Sequence, residues 1–334
     1  MSEGTPLVRA LYDSVSIPGY QAPYNAASLK LYYPALLGNT DEERNSGAVP
    51  ADASQAPFPV VILCPGINVS PEAYSWLAQA LAASGIATLT YSFIAEAMPG
   101  QVALTPGLDL DALTPEGYGL KPSATAIEAL VGKLAQLNRA NGGLLRGMLD
   151  LNAIILGGHS AGGSVALFNA KAEWFAGISA SFSYATHAGA STLLGWPPAT
   201  ILPLPSEVPT LLLGGNEDGV IAASSGRYAV DNGNSTSAIE TTFDESISSS
   251  RNDSYLFLLE GANHFSLAYP EDTTTGRAFL ESPSSKPGQE SRDILANIIT
   301  QFILGHVKNN ADALSQLQQL TQNTQQRFTR AACK

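Results

Sequence analysis

The chain has 334 residues, 45% of them hydrophobic and 14% charged, and a formal net charge of -12 from 29 acidic and 17 basic residues. That length holds one large α/β domain, or two small ones, around a sizeable core. Lys and Arg are scattered, which excludes the clustered basic footprint of a nucleic-acid binder, and the acidic balance disfavours an anionic substrate.

From the N-terminus, residues 12–33 alternate (Val15, Ile17, then Leu29, Leu31, Tyr33), as an antiparallel pair does. Residues 37–57 are polar and rich in turn formers, and predict a mobile surface loop. The period then changes. Pro59–Cys64 is a continuous apolar run, the mark of a strand buried on both faces. Ser70-Pro71 reads as an N-cap with proline at the first helical position, opening a helix through Trp76, Leu77 and Leu81 that stops at Gly85.

Ile86–Phe93 is the next strand, and 94–120 a Pro/Gly-broken apolar insertion. A helix is predicted over Ser123–Asn138, with Ile127, Leu130, Val131, Leu134 and Leu137 at helical spacing. Ala153–Leu156 and Trp174–Phe182 read as strands, with a helix opening near Ser164 between them. After a second irregular insertion at 183–207 come strand Thr210–Gly215, a helix near 222–230, strand Ser254–Gly261 and a helix over Ser291–His306. Strands alternating with helices predict an α/β fold: a mostly parallel, twisted sheet with helices on both faces. The expected organisation is one domain over 1–310 and a polar tail at 311–334, helical or frayed, with Leu314, Leu317 and Leu320 in a Gln-rich background.

The chemistry starts at Gly158-His159-Ser160-Ala161-Gly162, a serine among small residues where a strand meets a helix. Small neighbours allow a sharp strand-to-helix turn that pushes the serine hydroxyl out at the strand end, which is the geometry of a nucleophile elbow. A serine hydroxyl needs an imidazole as base and a third group to orient it. Downstream, the turn after Thr210–Leu213 holds Asp218, and the loop after Tyr255–Leu259 holds His264. Glu217 remains a rival acid and Glu260 a weaker one. His159 sits beside the serine with its side chain turned away, and His187 and His306 lie outside the pattern. For the oxyanion, the backbone N–H of Ala161 and that of Ile67, in the loop Cys64–Ser70, are the candidate donors. Phe93, Met98, Tyr184 and Trp196 in and around the insertions are the candidate apolar lining of a substrate pocket.

Together Gly158–Gly162, Asp218 and His264 resemble the α/β-hydrolase superfamily, in the order Ser, Asp, His. The Pro59–Gly66 stretch is similar to the group containing dienelactone hydrolase, platelet-activating-factor acetylhydrolase, cutinase and chlorophyllase. Gly-His-Ser-Ala-Gly-Gly resembles the chlorophyllase elbow but has Ala161 where that family has arginine, and Ser160 departs from the cysteine of dienelactone hydrolases. The resemblance implies an α/β-hydrolase fold with lid-like insertions at 94–120 and 183–207. It implies a cofactor-free serine esterase acting on a neutral, hydrophobic small-molecule or lipid-like ester. Chlorophyllase activity, acyl transfer and a non-catalytic binding role are the alternatives.

With two cysteines (Cys64 and Cys333) and four histidines, none at metal-ligand spacing, neither a disulfide nor a zinc site is expected. The first twenty residues lack a basic region followed by an apolar stretch, and no run approaches the ~20 apolar residues of a membrane span. A cytoplasmic location is the expectation.

Overall fold

Two long strands, β1 (Thr5–Ser16) and β2 (Ala26–Leu37), pair antiparallel along their whole length, extending the expected hairpin at both ends. The computed structural model describes residues 5–98, 100–228, 234–322 and 327–334, with the side chains of residues 5, 6, 97 and 98 left out. The segment expected to be a mobile loop carries a short helix, α1 (Asp41–Ser46). Its cause is local. Thr40 and Glu43 form a reciprocal capping box, and Gly47 closes the helix with a left-handed φ of 69°.

The fully buried β3 (Phe58–Cys64) leads through the Ser70 cap and a single turn into α2 (Ser75–Ala83). Next, β4 (Ala87–Met98) runs past the expected end at Phe93 and folds back on β5 (Gln101–Leu104), so the first insertion begins as a hairpin. Then follow α3 (Ile127–Arg139), β6 (Leu149–His159), α4 (Ala161–Phe168) and β7 (Ile178–Tyr184). The chain continues with β8 (Thr210–Gly215), α5 (Gly219–Tyr228), the short α6 (Ser237–Thr241) and β9 (Ser254–Leu259). It finishes with α7 (Gly288–His306), α8 (Ala311–Gln322) and β10 (Phe328–Cys333).

These strands form one ten-stranded, mostly parallel sheet in the order β1-β2-β4-β3-β6-β7-β8-β9-β10, with β5 hung on β4. The six strands from β4 to β9 all run parallel. Alternation along β3 divides the core: Val61 and Leu63 join a cluster with Leu77 and Leu81 of α2 and Leu295, Ile298 and Phe302 of α7, whereas Val60 and Ile62 join one with Leu130 and Leu134 of α3. Helices therefore cover both faces. From β3 the chain steps outward to β4, then returns across β3 to β6 and proceeds the other way. The order thus reverses between β3 and β6, the place where such sheets open a crevice beyond their carboxyl ends.

The segment after residue 310 is built into the sheet. β10 pairs antiparallel with β9, and Leu317 of α8 is fully buried against the cluster that holds Ile303. Its leucines read as an amphipathic stripe in sequence, but the strand after them, Phe328–Cys333, gave no alternating signal. No helix among the described residues is long and apolar enough to cross a membrane. Leu317→Ala should lower the free energy of urea unfolding by about 2–5 kcal/mol, as buried leucine truncations do; a loss within experimental error would mean that α8 does not dock.

Candidate active site

The elbow is held by contact rather than by choice of rotamer. β6 ends at His159 and α4 begins at Ala161, leaving Ser160 between them at φ 53°, ψ -122°. A non-glycine residue there costs about 1–3 kcal/mol, so the surroundings must enforce it. A Cβ on Gly158 would lie 2.0 Å from the Gly162 carbonyl oxygen, and one on Gly162 would lie 2.1 Å from that of Cys64. Glycine alone lets the helix start cross so close to the ends of β3 and β6. The Ser160 N–H donates to Tyr184 O at 3.0 Å, and the Ser160 carbonyl accepts the Ser164 N–H at 3.1 Å. Ser160 stays half-buried with its side chain at the carboxyl end of the sheet.

Asp218 stands at the start of α5, fully buried. One carboxylate oxygen accepts the Ile221 N–H at 2.7 Å, as an N-cap does, where a negative charge is favoured. The other lies 2.8 Å from His264 Nδ1. A carboxylate only accepts, so Nδ1 carries the proton and Nε2 of the neutral ring is left as the acceptor. His264 is 4% exposed. Glu217 turns the other way and accepts the Ser285 N–H at 2.6 Å and its hydroxyl at 2.5 Å, while Glu260 is exposed beside Lys286. Of the three candidate acids, Asp218 is the one the fold brings to the imidazole.

The loop after β3 lies against the elbow: a Cβ on Gly66 would sit 3.4 Å from that of Ser160. Ile67 is 37% exposed, and among the described residues its N–H has no acceptor. Ala161 is the first residue of α4, where a backbone N–H lacks an intrahelical partner. Asn68 fixes the loop to the hairpin through two bonds with Leu104: its N–H donates to Leu104 O at 2.9 Å, and its Oδ1 accepts the Leu104 N–H at 3.1 Å.

Not all the residues expected to line a pocket do so. Phe93 is fully buried mid-strand, edge-on to Tyr20 at 5.0 Å, because β4 continues beyond it and the strand alternation turns it inward. Tyr184 is also fully buried, beneath the site, its hydroxyl donating to Asn263 O at 2.5 Å. Neither offers surface to a ligand. Trp196 is half-buried and ties the two insertions together, its indole N–H donating to Leu113 O at 2.7 Å. The Met98 side chain lies outside the described residues. A cavity of about 180 Å³ opens instead between the β3 loop and the segment after His264. Val69, Ala73, Phe265 and Ala268 give it an apolar floor, and the exposed Glu72, Pro270, Glu271 and Asp272 stand at its rim.

Glu281, which the sequence did not mark, braces the segments that carry Asp218 and His264. Its carboxylate accepts the N–H groups of Gly219 and Ser282, each at 2.9 Å, and that of Phe265 at 3.1 Å. Burial, and then the charge of Asp218, push its carboxyl above the usual range. Its setting, Phe-Leu-Glu-Ser-Pro, has no period or motif from which this role could be read.

No protein-family model matches the sequence, and no curated protein matches it either. Among the described residues, no group of three or more His, Cys, Asp or Glu side chains is placed to hold a metal ion, and both cysteines are free thiols.

Burial holds three imidazoles below their ordinary range: His159 far below, His187 at about 4, and His306 to a lesser degree. Each is neutral in the folded state where the unfolded chain would already be protonated. Below about pH 6.5 the unfolded state therefore binds more protons, and stability should fall as pH drops from there toward 4. The raised carboxyl of Glu281 works in the opposite sense, one group against three. Urea unfolding at several pH values in that window should show the decline, and a flat or rising profile toward acid would contradict it.

Proposed function

We propose that the chain is a serine carboxylic-ester hydrolase of the α/β-hydrolase kind, with Ser160 as nucleophile, His264 as base and Asp218 as the group that orients it. The observation that carries this reading is the buried Asp218–His264 contact, in which Nδ1–H donates to the carboxylate and Nε2 is left to accept a proton at the same sheet end as the strained Ser160. Ser160 Oγ would attack the ester carbonyl while its proton passes to His264 Nε2. The Ile67 and Ala161 N–H groups would receive the carbonyl oxygen as it takes negative charge. Collapse of the tetrahedral species releases the alcohol, which takes the proton from His264 and leaves an acyl group on Ser160. Water, deprotonated by His264, then releases the acid and restores the hydroxyl. Ser160 Oγ makes no hydrogen bond among the described residues, and such contacts commonly tighten only once substrate is bound.

The cavity adjoins the candidate site through Asn68 and Phe265, while Ser160, Asp218 and His264 do not line it. Its carboxylate rim and the net charge of -12 disfavour an anionic ester. These charges favour a neutral ester.

Initial rates on p-nitrophenyl acetate, butyrate and palmitate test the proposal, with product analysis in the presence of added alcohols to separate hydrolysis from acyl transfer. Ser160→Ala, His264→Gln and Asp218→Asn should each lower kcat by about 10⁴-fold with the fold intact. His187→Gln should leave it near wild type. Wild-type turnover by Ser160→Ala would end the proposal.

A further inference from the structure

His159, directly before the nucleophile, is fully buried, and its two ring nitrogens meet different partners. Nε2 lies 2.9 Å from the His264 carbonyl oxygen and Nδ1 lies 2.9 Å from the Tyr74 hydroxyl. A carbonyl only accepts, so the proton is on Nε2. Burial, with the His264 ring 4.9 Å away, keeps the imidazole neutral, so Nδ1 accepts the Tyr74 O–H. The Tyr74 oxygen in turn accepts the Gly66 N–H at 3.0 Å. The direction of every bond follows: Gly66 N–H to Tyr74, Tyr74 O–H to His159, His159 N–H to the carbonyl of His264. The opposite tautomer would set a lone pair of Nε2 against a carbonyl oxygen and cannot satisfy the chain.

This chain joins the three segments that the proposed reaction needs in register: the β3 loop with Ile67, the elbow with Ser160, and the loop with His264. We infer that Tyr74 and His159 are positioning residues, which set the distance between the oxyanion donors and the base by a buried hydrogen-bond relay. The inference rests on the esterase reading. His159 is turned from the serine and touches no substrate; it holds the backbone of His264, and through it the ring that must reach Ser160. Displacement of a reacting group by an ångström can cost about 100-fold in rate.

Two substitutions divide the relay. His159→Asn retains a short acceptor for Tyr74 and removes the donor to His264, whereas His159→Gln can place an amide N–H near the position of Nε2. With p-nitrophenyl butyrate, His159→Asn should lower kcat by about 10–100-fold with KM nearly unchanged, and His159→Gln should recover most of that loss. A purely structural role would lower the active fraction in both variants alike, which titration of active sites with a fluorophosphonate measures. Wild-type kcat in His159→Asn overturns the inference, as does equal loss in the two variants. Should either fail to fold, the imidazole ¹⁵N resonances of the wild type decide: His159 should stay neutral and protonated on Nε2 between about pH 5 and 8. An Nδ1–H tautomer, or titration in that range, overturns it. Failure of the fluorophosphonate to label wild-type Ser160 would sink the esterase reading itself, while labelled Ser160 with unaltered His159→Asn kinetics would sink the relay alone.

Discussion

Everything above the sheet depends on how closely the start of α4 crosses the end of β3. The Cys64 carbonyl leaves no room for a Cβ on Gly162, and the Gly162 carbonyl leaves none for one on Gly158. With both positions bare, the helix can begin almost on top of the strands, and Ser160 is forced into a backbone conformation that it would not choose. The same crossing brings the β3 loop beside the serine, so Ser160 and the candidate oxyanion donors are set by one contact. The strain is stored where the surrounding hydrogen bonds, Ser160 to Tyr184 and Ser164 to Ser160, can bear it.

Asp218 and His264 are placed by a different logic, that of satisfied burial. Asp218 is fully buried, and each of its oxygens has a partner, the Ile221 N–H and the His264 ring. Glu281 reaches across to the backbone on both sides of that pair, so the α5 start and the His264 loop cannot drift apart without orphaning several N–H groups. Unsatisfied polar groups in such a place cost about 1–3 kcal/mol each, more than the net gain from most single hydrogen bonds. Rigidity here comes from what would be lost on opening.

What the sequence made legible was what is local. Gly158 and Gly162 flank the serine within five residues, and Asp218 and His264 each follow an apolar strand by a few residues, so their places at the carboxyl end of one sheet could be read from strand order. The separation of Asp218 from Glu217 could not, because it turns on where α5 begins and on Ser285, distant in the chain. Phe93 was misread as pocket lining because β4 runs five residues further than its apolar run, which places Phe93 inside the sheet. Tyr74 read as one more residue of a helix, and Glu281 carried no reading at all; their contacts join segments far apart in sequence. The edge strand β10 was missed for the same reason, its pairing being its only signature.

That edge strand has a consequence for how the site comes into being. β9, whose carboxyl end launches the loop of His264, gains its outer neighbour only when Phe328 meets Leu259, with α7 and α8 intervening. A pairing between such distant segments closes slowly compared with a hairpin. Until it closes, the fully buried β9 presents an open row of backbone groups to any passing strand. The loop of His264 thus leaves a strand whose outer row of backbone groups is sealed by β10, so a chain that cannot form that pairing would carry an open, aggregation-prone edge directly beneath His264.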